Sequence, residues 1–101
     1  MKHNLKNKVF EIVKTIPYGK VASYKQIAIK IKNKNYSRLV GKFIATNRNW
    51  PEIPCQRVVY NNGKIGNWSL KGGSKRKAEI LKAEGVIIKN GRASKEFFTK
   101  L

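Results

Sequence analysis

Ser23-Tyr24-Lys25-Gln26-Ile27-Ala28-Ile29-Lys30-Ile31-Lys32, then Asn33-Lys34-Asn35, then Tyr36-Ser37-Arg38-Leu39-Val40-Gly41-Lys42-Phe43-Ile44-Ala45-Thr46-Asn47, is the stretch whose reading decides the fold. Ser23 followed three residues later by Gln26 has the pattern of a capping box. The Ser hydroxyl accepts from a backbone N–H of the first turn, and the Gln side chain reaches back to the Ser N–H. Ile27, Ala28 and Ile31 then supply one apolar stripe, which predicts a helix over 23–32. Asn33-Lys34-Asn35 reads as a turn. A second helix is expected from Tyr36 or Ser37 to about Asn47, with Leu39, Val40, Phe43 and Ile44 inward. Gly41 and Ala45 lie four apart and leave one side of it smooth. A helix-interior Gly costs about 1 kcal/mol relative to Ala, so Gly41 predicts the close approach of some other group. Two helices on a short turn, the second with Arg38 at its N-terminal end, form a helix-turn-helix pattern.

Upstream, Leu5, Val9, Ile12, Val13 and Ile16 recur at helical spacing, and Pro17-Tyr18-Gly19 ends that helix. Val21-Ala22 reads as a short extended link. Downstream, Pro51 and Pro54 forbid regular helix and stiffen the approach to residue 55. Val58-Val59-Tyr60, Asn61-Asn62-Gly63 and Lys64-Ile65 predict a small β-hairpin. Gly66-Asn67-Trp68-Ser69 and Gly72-Gly73 form a loop. Ser74 is expected to N-cap a last helix running to about Glu84, with Ala78, Leu81 and Ile80 inward, and Gly85 stops it. Val86-Ile87-Ile88 and Asn90-Gly91 suggest a strand and a turn, and Phe97 and Phe98 dock the end of the chain. The expected class is a mainly α, winged-helix-like helix-turn-helix domain with a small β-hairpin, a single unit over 1–101.

Charge narrows the partner. Lys and Arg number 23 against five Glu, a formal net charge of +18. Such self-repulsion in a small domain points to a polyanion, with nucleic acid the first choice and an anionic membrane surface the second. A generally lysine-rich proteome would raise the charge without any partner, so single Arg and aromatic positions carry more weight than the Lys count. No apolar run approaches ~18 residues, which argues against a spanning helix. The N-terminus has no apolar signal-peptide core, and an intracellular, reducing compartment is expected, whether cytoplasm, nucleoid or nucleus. Neither a metal site nor a cofactor is expected, and a monomer is. Cys55 is the only cysteine and His3 the only histidine, so there is no intrachain disulfide and no Cys-based zinc site.

The lone cysteine sits in Ile53-Pro54-Cys55-Gln56-Arg57-Val58-Val59. A free Cys is usually a small buried hydrophobe. The other reading is a nucleophilic thiolate on a stiff turn in a positive field. Both remain open on local grounds.

Together these residues resemble a family. The segments Ile16-Pro17-Tyr18-Gly19-Lys20-Val21-Ala22-Ser23-Tyr24, Arg38 with Val40-Gly41, Asn47, Ile53-Pro54-Cys55 with Arg57-Val58-Val59, Gly66-Asn67-Trp68-Ser69 and Glu84-Gly85 resemble the C-terminal DNA-binding and active-site domain of O6-alkylguanine-DNA alkyltransferases. They also resemble the non-catalytic alkyltransferase-like proteins, which lack the separate N-terminal domain of many family members. The likeness runs from about residue 5 to 92. It implies that double-stranded DNA containing O6-alkylguanine is the partner. Cys55 would accept the alkyl group by in-line attack, once per molecule. The helix at 37–46 would lie in the minor groove, where Gly41 and Ala45 let its backbone come close. Arg38 would fill the gap left by the flipped nucleotide, and Tyr24 would crowd the 3′ phosphate and hydrogen-bond the guanine. The Val58 backbone and Trp68-Ser69 would wall the base pocket, and Asn47 would hold the active-site turn. The family often has Tyr where Trp68 stands.

One position departs. The family motif is Pro-Cys-His-Arg-Val, and Gln56 occupies the His position. In the family, that His is oriented by a Glu, matched here by Glu84, and takes the thiol proton through a water. A carboxamide cannot accept that proton, and loss of a general base typically slows a reaction by ~10²–10⁴. A thiol of ordinary pKa (~8.5) is still a few per cent ionised near neutrality, so slow transfer to Cys55 is the first expectation. The alternatives are a non-enzymatic binder that flags the lesion for other repair proteins, and a general basic DNA-binding protein.

Overall fold

The computed structural model describes residues 2–101, without the side chains of residues 2–4 and 34. Helix α1 (Lys2–Lys14) buries Val9 and Val13, and Ile16 follows inward just past its end. The chain turns at Pro17–Gly19, where Gly19 takes φ +82°, and enters β1 (Ala22–Ser23). Helix α2 (Tyr24–Lys30) starts on the expected capping box. The Gln26 N–H donates to Ser23 Oγ at 2.9 Å, and the Ser23 N–H donates to Gln26 Oε1 at 2.8 Å. A 3₁₀ turn (Lys34–Tyr36) leads into α3 (Ser37–Ala45), whose Val40 and Ile44 are buried. Helices α1, α2 and α3 pack around one apolar cluster that includes Ile27, Ala28, Ile53, Cys55, Val58 and Trp68.

The second half of the chain attaches to this helical unit through short pairings. Strand β2 (Val58–Val59) runs parallel to β1, with Ala22 opposite Val58 and Ser23 opposite Val59. The hairpin expected around Asn61-Asn62-Gly63 is therefore corrected. Its turn is present, closed by the Tyr60 N–H to the Lys64 carbonyl at 2.9 Å, but the ladder of Val58–Val59 belongs to β1. A two-residue strand has too few local bonds to choose its own partner, and burial of Val21, Ala22, Val58 and Val59 settles the pairing. The β-hairpin of the fold is β3 (Ile88–Lys89) against β4 (Arg92–Ala93), turning at Asn90-Gly91.

Helix α4 (Gly73–Ala83) begins one residue before Ser74, so Ser74 lies in its first turn rather than at the cap. The N-cap is Gly72 at φ +98°. Leu81 joins a second apolar cluster with Val21, Val59, Ile65, Val86 and Ala93, against which Phe97 and Phe98 pack. The end of the chain is also tied by polar bonds. The Val21 N–H donates to the Phe97 carbonyl and the Thr99 N–H to the Val21 carbonyl, both at 2.8 Å. Gln26 Nε2 donates to the Thr99 carbonyl at 2.7 Å. No helix among the described residues is long and apolar enough to cross a membrane.

Candidate functional site

Cys55 opens a 3₁₀ turn (Cys55–Arg57) between the proline-stiffened segment and β2. Asn47, just past α3, holds the approach. Its Nδ2 donates to the Ile53 carbonyl at 2.9 Å, and its Oδ1 accepts from the Asn49 N–H at 2.9 Å. The Cys55 N–H donates to the Ile53 carbonyl at 2.8 Å, and the Val58 N–H closes the turn on the Cys55 carbonyl. The thiol is 2% exposed. The Trp68 indole N–H donates to Sγ at 3.3 Å, a contact that strengthens with negative charge on sulfur.

That sulfur faces a cavity of about 540 Å³ between α2, α3 and the 67–69 loop. Of the residues picked out from the sequence, Tyr24, Arg38, Gly41, Ala45, Cys55, Trp68 and Ser69 line it together. Val58 does not; its side chain is fully buried in the core. The group that approaches Gly41 inside the protein is the Tyr24 ring: a Cβ on Gly41 would lie 3.8 Å from it, at ordinary contact distance. Tyr24 also packs at 5.4 Å against Tyr60 with the rings tilted by 54°. Burial, reinforced by the nearby Tyr60 and Cys55 groups, pushes the Tyr24 phenol up to about 12, so it stays protonated and able to donate across the physiological range.

Gln56, Glu84 and Asn47 do not line the cavity. Gln56 is 3% exposed and its carboxamide is committed at both ends. Its Oε1 accepts from the Trp50 indole at 2.8 Å, and its Nε2 donates to Glu84 Oε2 at 2.8 Å. Glu84 also accepts from Arg57 Nε at 2.9 Å, from a second Arg57 nitrogen at 3.2 Å and from the Gly19 N–H at 3.2 Å. Arg57 donates a further bond to the Ile16 carbonyl at 2.8 Å. The carboxylate thus ties the end of α4 to the Cys55 turn and to the 17–19 turn.

Sequence reasoning missed three features. Lys77 lines the cavity and is 1% exposed. It lies four residues before Leu81, on the stripe already read as inward, and that spacing was the available signal. Trp50 packs edge-on against Trp68 at 5.6 Å, and the Arg76 guanidinium stacks over both rings at 5.4 and 5.8 Å. No local pattern marks either of those contacts. The side chain of His3 lies outside the described residues.

Comparison with known proteins bears on this arrangement. Residues 4–86 match the family described as 6-O-methylguanine DNA methyltransferase, DNA binding domain. A methylated-DNA–protein-cysteine methyltransferase of Candida glabrata is 37% identical over 97% of this chain and 46% of its own length. Alkyltransferase-like protein 1 of Schizosaccharomyces pombe is 35% identical over 80% of this chain and 75% of its own. The chain spans about half the length of the curated methyltransferases it matches. Among solved structures, S. pombe Atl1 in complex with damaged DNA containing O6-carboxymethylguanine superposes with a TM-score of 0.85 at 30% identity, covering 98% of this chain and 97% of that one. Mycobacterium tuberculosis OGT in complex with DNA gives 0.73 at 34% identity, over 78% of this chain and 48% of the other. On the matched residues, and on a fold shared with both groups, the chain belongs to the family of the 6-O-methylguanine DNA methyltransferase DNA-binding domain.

Proposed function

We propose that this chain is an intracellular DNA-repair protein that binds duplex DNA through α3, receives an extruded O6-alkylguanine in the cavity, and takes the alkyl group onto Cys55. The observation that carries the reading is the cavity itself. Its volume falls within the ~300–1,000 Å³ of small-molecule sites, its reactive sulfur is Cys55, and Arg38 and Tyr24 flank it on the helix-turn-helix. Extruding a base costs a few kcal/mol, least for a damaged pair. Arg38, exposed on α3, offsets that cost by occupying the vacated stack. Gly41 and Ala45 keep that face of α3 low against the groove. In the chemical step the Cys55 thiol gives up its proton to water, the sulfur attacks the alkyl carbon, the C–O6 bond breaks, and the electron pair left on the guanine takes up a proton. The Tyr24 phenol donates to the base as that charge develops. Trp68 and Ser69 wall the base, Asn47 holds the turn that presents the sulfur, and Glu84 anchors it from behind through Gln56 and Arg57. The product is a thioether, so each molecule acts once.

A second reading has its own support. Gln56 offers no proton acceptor and both ends of its carboxamide are occupied. The alkyltransferase-like protein of S. pombe also covers almost the whole chain. In that reading the cavity binds the lesion without transfer and other repair proteins follow. Intact-protein mass after incubation with a duplex carrying one O6-methylguanine separates the two. Transfer adds one methyl, ~14 Da, to Cys55. Lesion-selective binding with no added mass selects the second reading. Equal affinity for plain and alkylated duplex at matched salt sinks both.

Two variants test individual roles. Arg38→Ala is expected to weaken lesion binding by ~10–100-fold and leave thermal stability within about 0.5 kcal/mol, since the residue is exposed; unchanged lesion affinity in a binding titration would remove Arg38 from extrusion. Gln56→His places an imidazole where Nε2 now meets Glu84 at 2.8 Å, while the Trp50 N–H competes for its basic nitrogen. Single-turnover rates are expected to rise about 10-fold, and further when Trp50→Phe removes that donor. Identical rates in all three proteins would mean that Glu84 does not orient a base here.

A further inference from the structure

A row of like charges crosses the C-terminal hairpin. Arg92 of β4 is opposite Lys89 of β3, and on its other edge it forms an antiparallel bridge with Lys64. Directly opposite residues on neighbouring strands share a face, so Lys64, Arg92 and Lys89 make one rung of three cations, all exposed. The residues next to them, Ile65 and Ala93, are buried in the second apolar cluster. The Lys64–Arg92 step is tight. It is flanked by bonds from the Ala93 N–H to the Gly63 carbonyl at 2.8 Å and from the Ile65 N–H to the Gly91 carbonyl at 3.0 Å. That makes it a non-hydrogen-bonded pair, the kind with Cα atoms only about 4.5 Å apart. Gly63 admits the strand, since a Cβ there would lie 2.6 Å from the Ala93 carbonyl oxygen. Like charges set directly opposite destabilise a sheet, and no carboxylate relieves these. The ion pairs among the described residues are Lys14–Glu11 and Arg57–Glu84. A solvated lysine needs no partner, but three cations held in register favour an anion between them.

The rung is continuous with the cavity. Tyr60 lines the cavity and also a shallow groove that runs over Asn61 and Asn62 to Lys64. The Tyr24 ring links Tyr60 to α3, packing on Tyr60 at 5.4 Å and lying against Gly41. We propose that Lys64, Arg92 and Lys89 form a second DNA-contact surface, which neutralises backbone phosphates on the Tyr60 side of the cavity while α3 occupies the groove. The proposal rests on the DNA-binding reading above. It extends that reading to a hairpin past residue 86, beyond the residues that match the family. The phosphodiester backbone suits the spacing. Neighbouring strands lie ~4.8 Å apart and each DNA strand carries one phosphate per ~3.4 Å of axis, so a rung two strand spacings wide spans successive phosphates rather than one anion. The repulsion that weakens the free hairpin is then relieved on binding.

The test combines Lys64→Gln, Lys89→Gln and Arg92→Gln in the full chain. A control combines Lys8→Gln, Lys82→Gln and Lys100→Gln, three exposed lysines outside the cavity lining and the hairpin, and removes the same charge. Affinity for an O6-methylguanine duplex is titrated against salt. The rung variant is expected to flatten the slope of log K against log salt by about 2–3, and the control by less than about 1. The melting temperature of the rung variant should rise by about 1–5 °C as the repulsion is removed. A slope equal to wild type, or equal losses in both triple variants, overturns the proposal and leaves the DNA-binding reading standing. A wild-type protein with no salt-dependent affinity for duplex overturns both. Lys89→Glu checks the rung by pairing a carboxylate with Arg92: affinity should fall as the melting temperature rises. A fall in both would make the hairpin a structural support and overturn the proposal.

Discussion

Glu84→Ala is expected to remove about 3–5 kcal/mol of stability, a large share of the ~5–15 kcal/mol of a typical small domain. The carboxylate side chain is 5% exposed and the Arg57 side chain 15%. Four donors converge on its two oxygens, from Gly19, Gln56 and two nitrogens of Arg57. Removing it leaves a nearly buried guanidinium without its counter-charge and a buried carboxamide N–H without an acceptor. Such groups carry their full desolvation penalty. The loss also reaches further than one contact, because Glu84 joins the end of α4 to the Cys55 turn and to the turn after α1. Urea unfolding monitored by tryptophan fluorescence measures it. Since the pair is buried, the loss should persist at high salt. A change under about 1 kcal/mol would mean that water reaches Arg57 freely and that the network is not a structural joint.

Cys55→Ala is expected to abolish alkyl transfer entirely while lesion binding remains. Sγ is the only thiol in the chain, and no other side chain lining the cavity forms a comparably reactive nucleophile near neutral pH. The truncation removes one heavy atom from the cavity wall and leaves the Trp68 N–H without its 3.3 Å partner, so a stability loss near 1 kcal/mol is expected. In the proposed reading, affinity for the damaged duplex comes from Arg38, Tyr24 and phosphate neutralisation by a chain of net charge +18, none of which the variant is expected to touch. Mass spectrometry and a binding titration on the same preparation check both halves. Residual methylation of the alanine variant would place the acceptor elsewhere. Loss of lesion binding together with transfer would mean that Cys55 shapes the cavity rather than reacting in it.

Much of the architecture was legible in the chain before any coordinates. Ser23 and Gln26 form their box because both partners lie within one turn, and the stripe of Ile27, Ala28, Val40 and Ile44 follows from helical periodicity alone. Pro51, Pro54 and Gly85 act through their own backbone, as their positions predict. Resemblance brought Tyr24, Arg38, Gly41, Ala45, Trp68 and Ser69 to one site, and they do line one cavity with Cys55.

Tertiary structure alone decided the rest, and the reason is distance along the chain. Strands β1 and β2 are two residues each and pair across more than thirty intervening positions, so no local pattern could select parallel pairing over a hairpin. The Gln56 and Gly19 bonds to Glu84 span 28 and 65 residues. Lys77 shares the inward stripe of α4 with Leu81, but its bond to the Ile65 carbonyl forms only once α4 docks there. Local propensity sets which segments are helices and where they stop. Which polar groups are buried together, and hence which chemistry Cys55 can do, is set only when those segments close on one another.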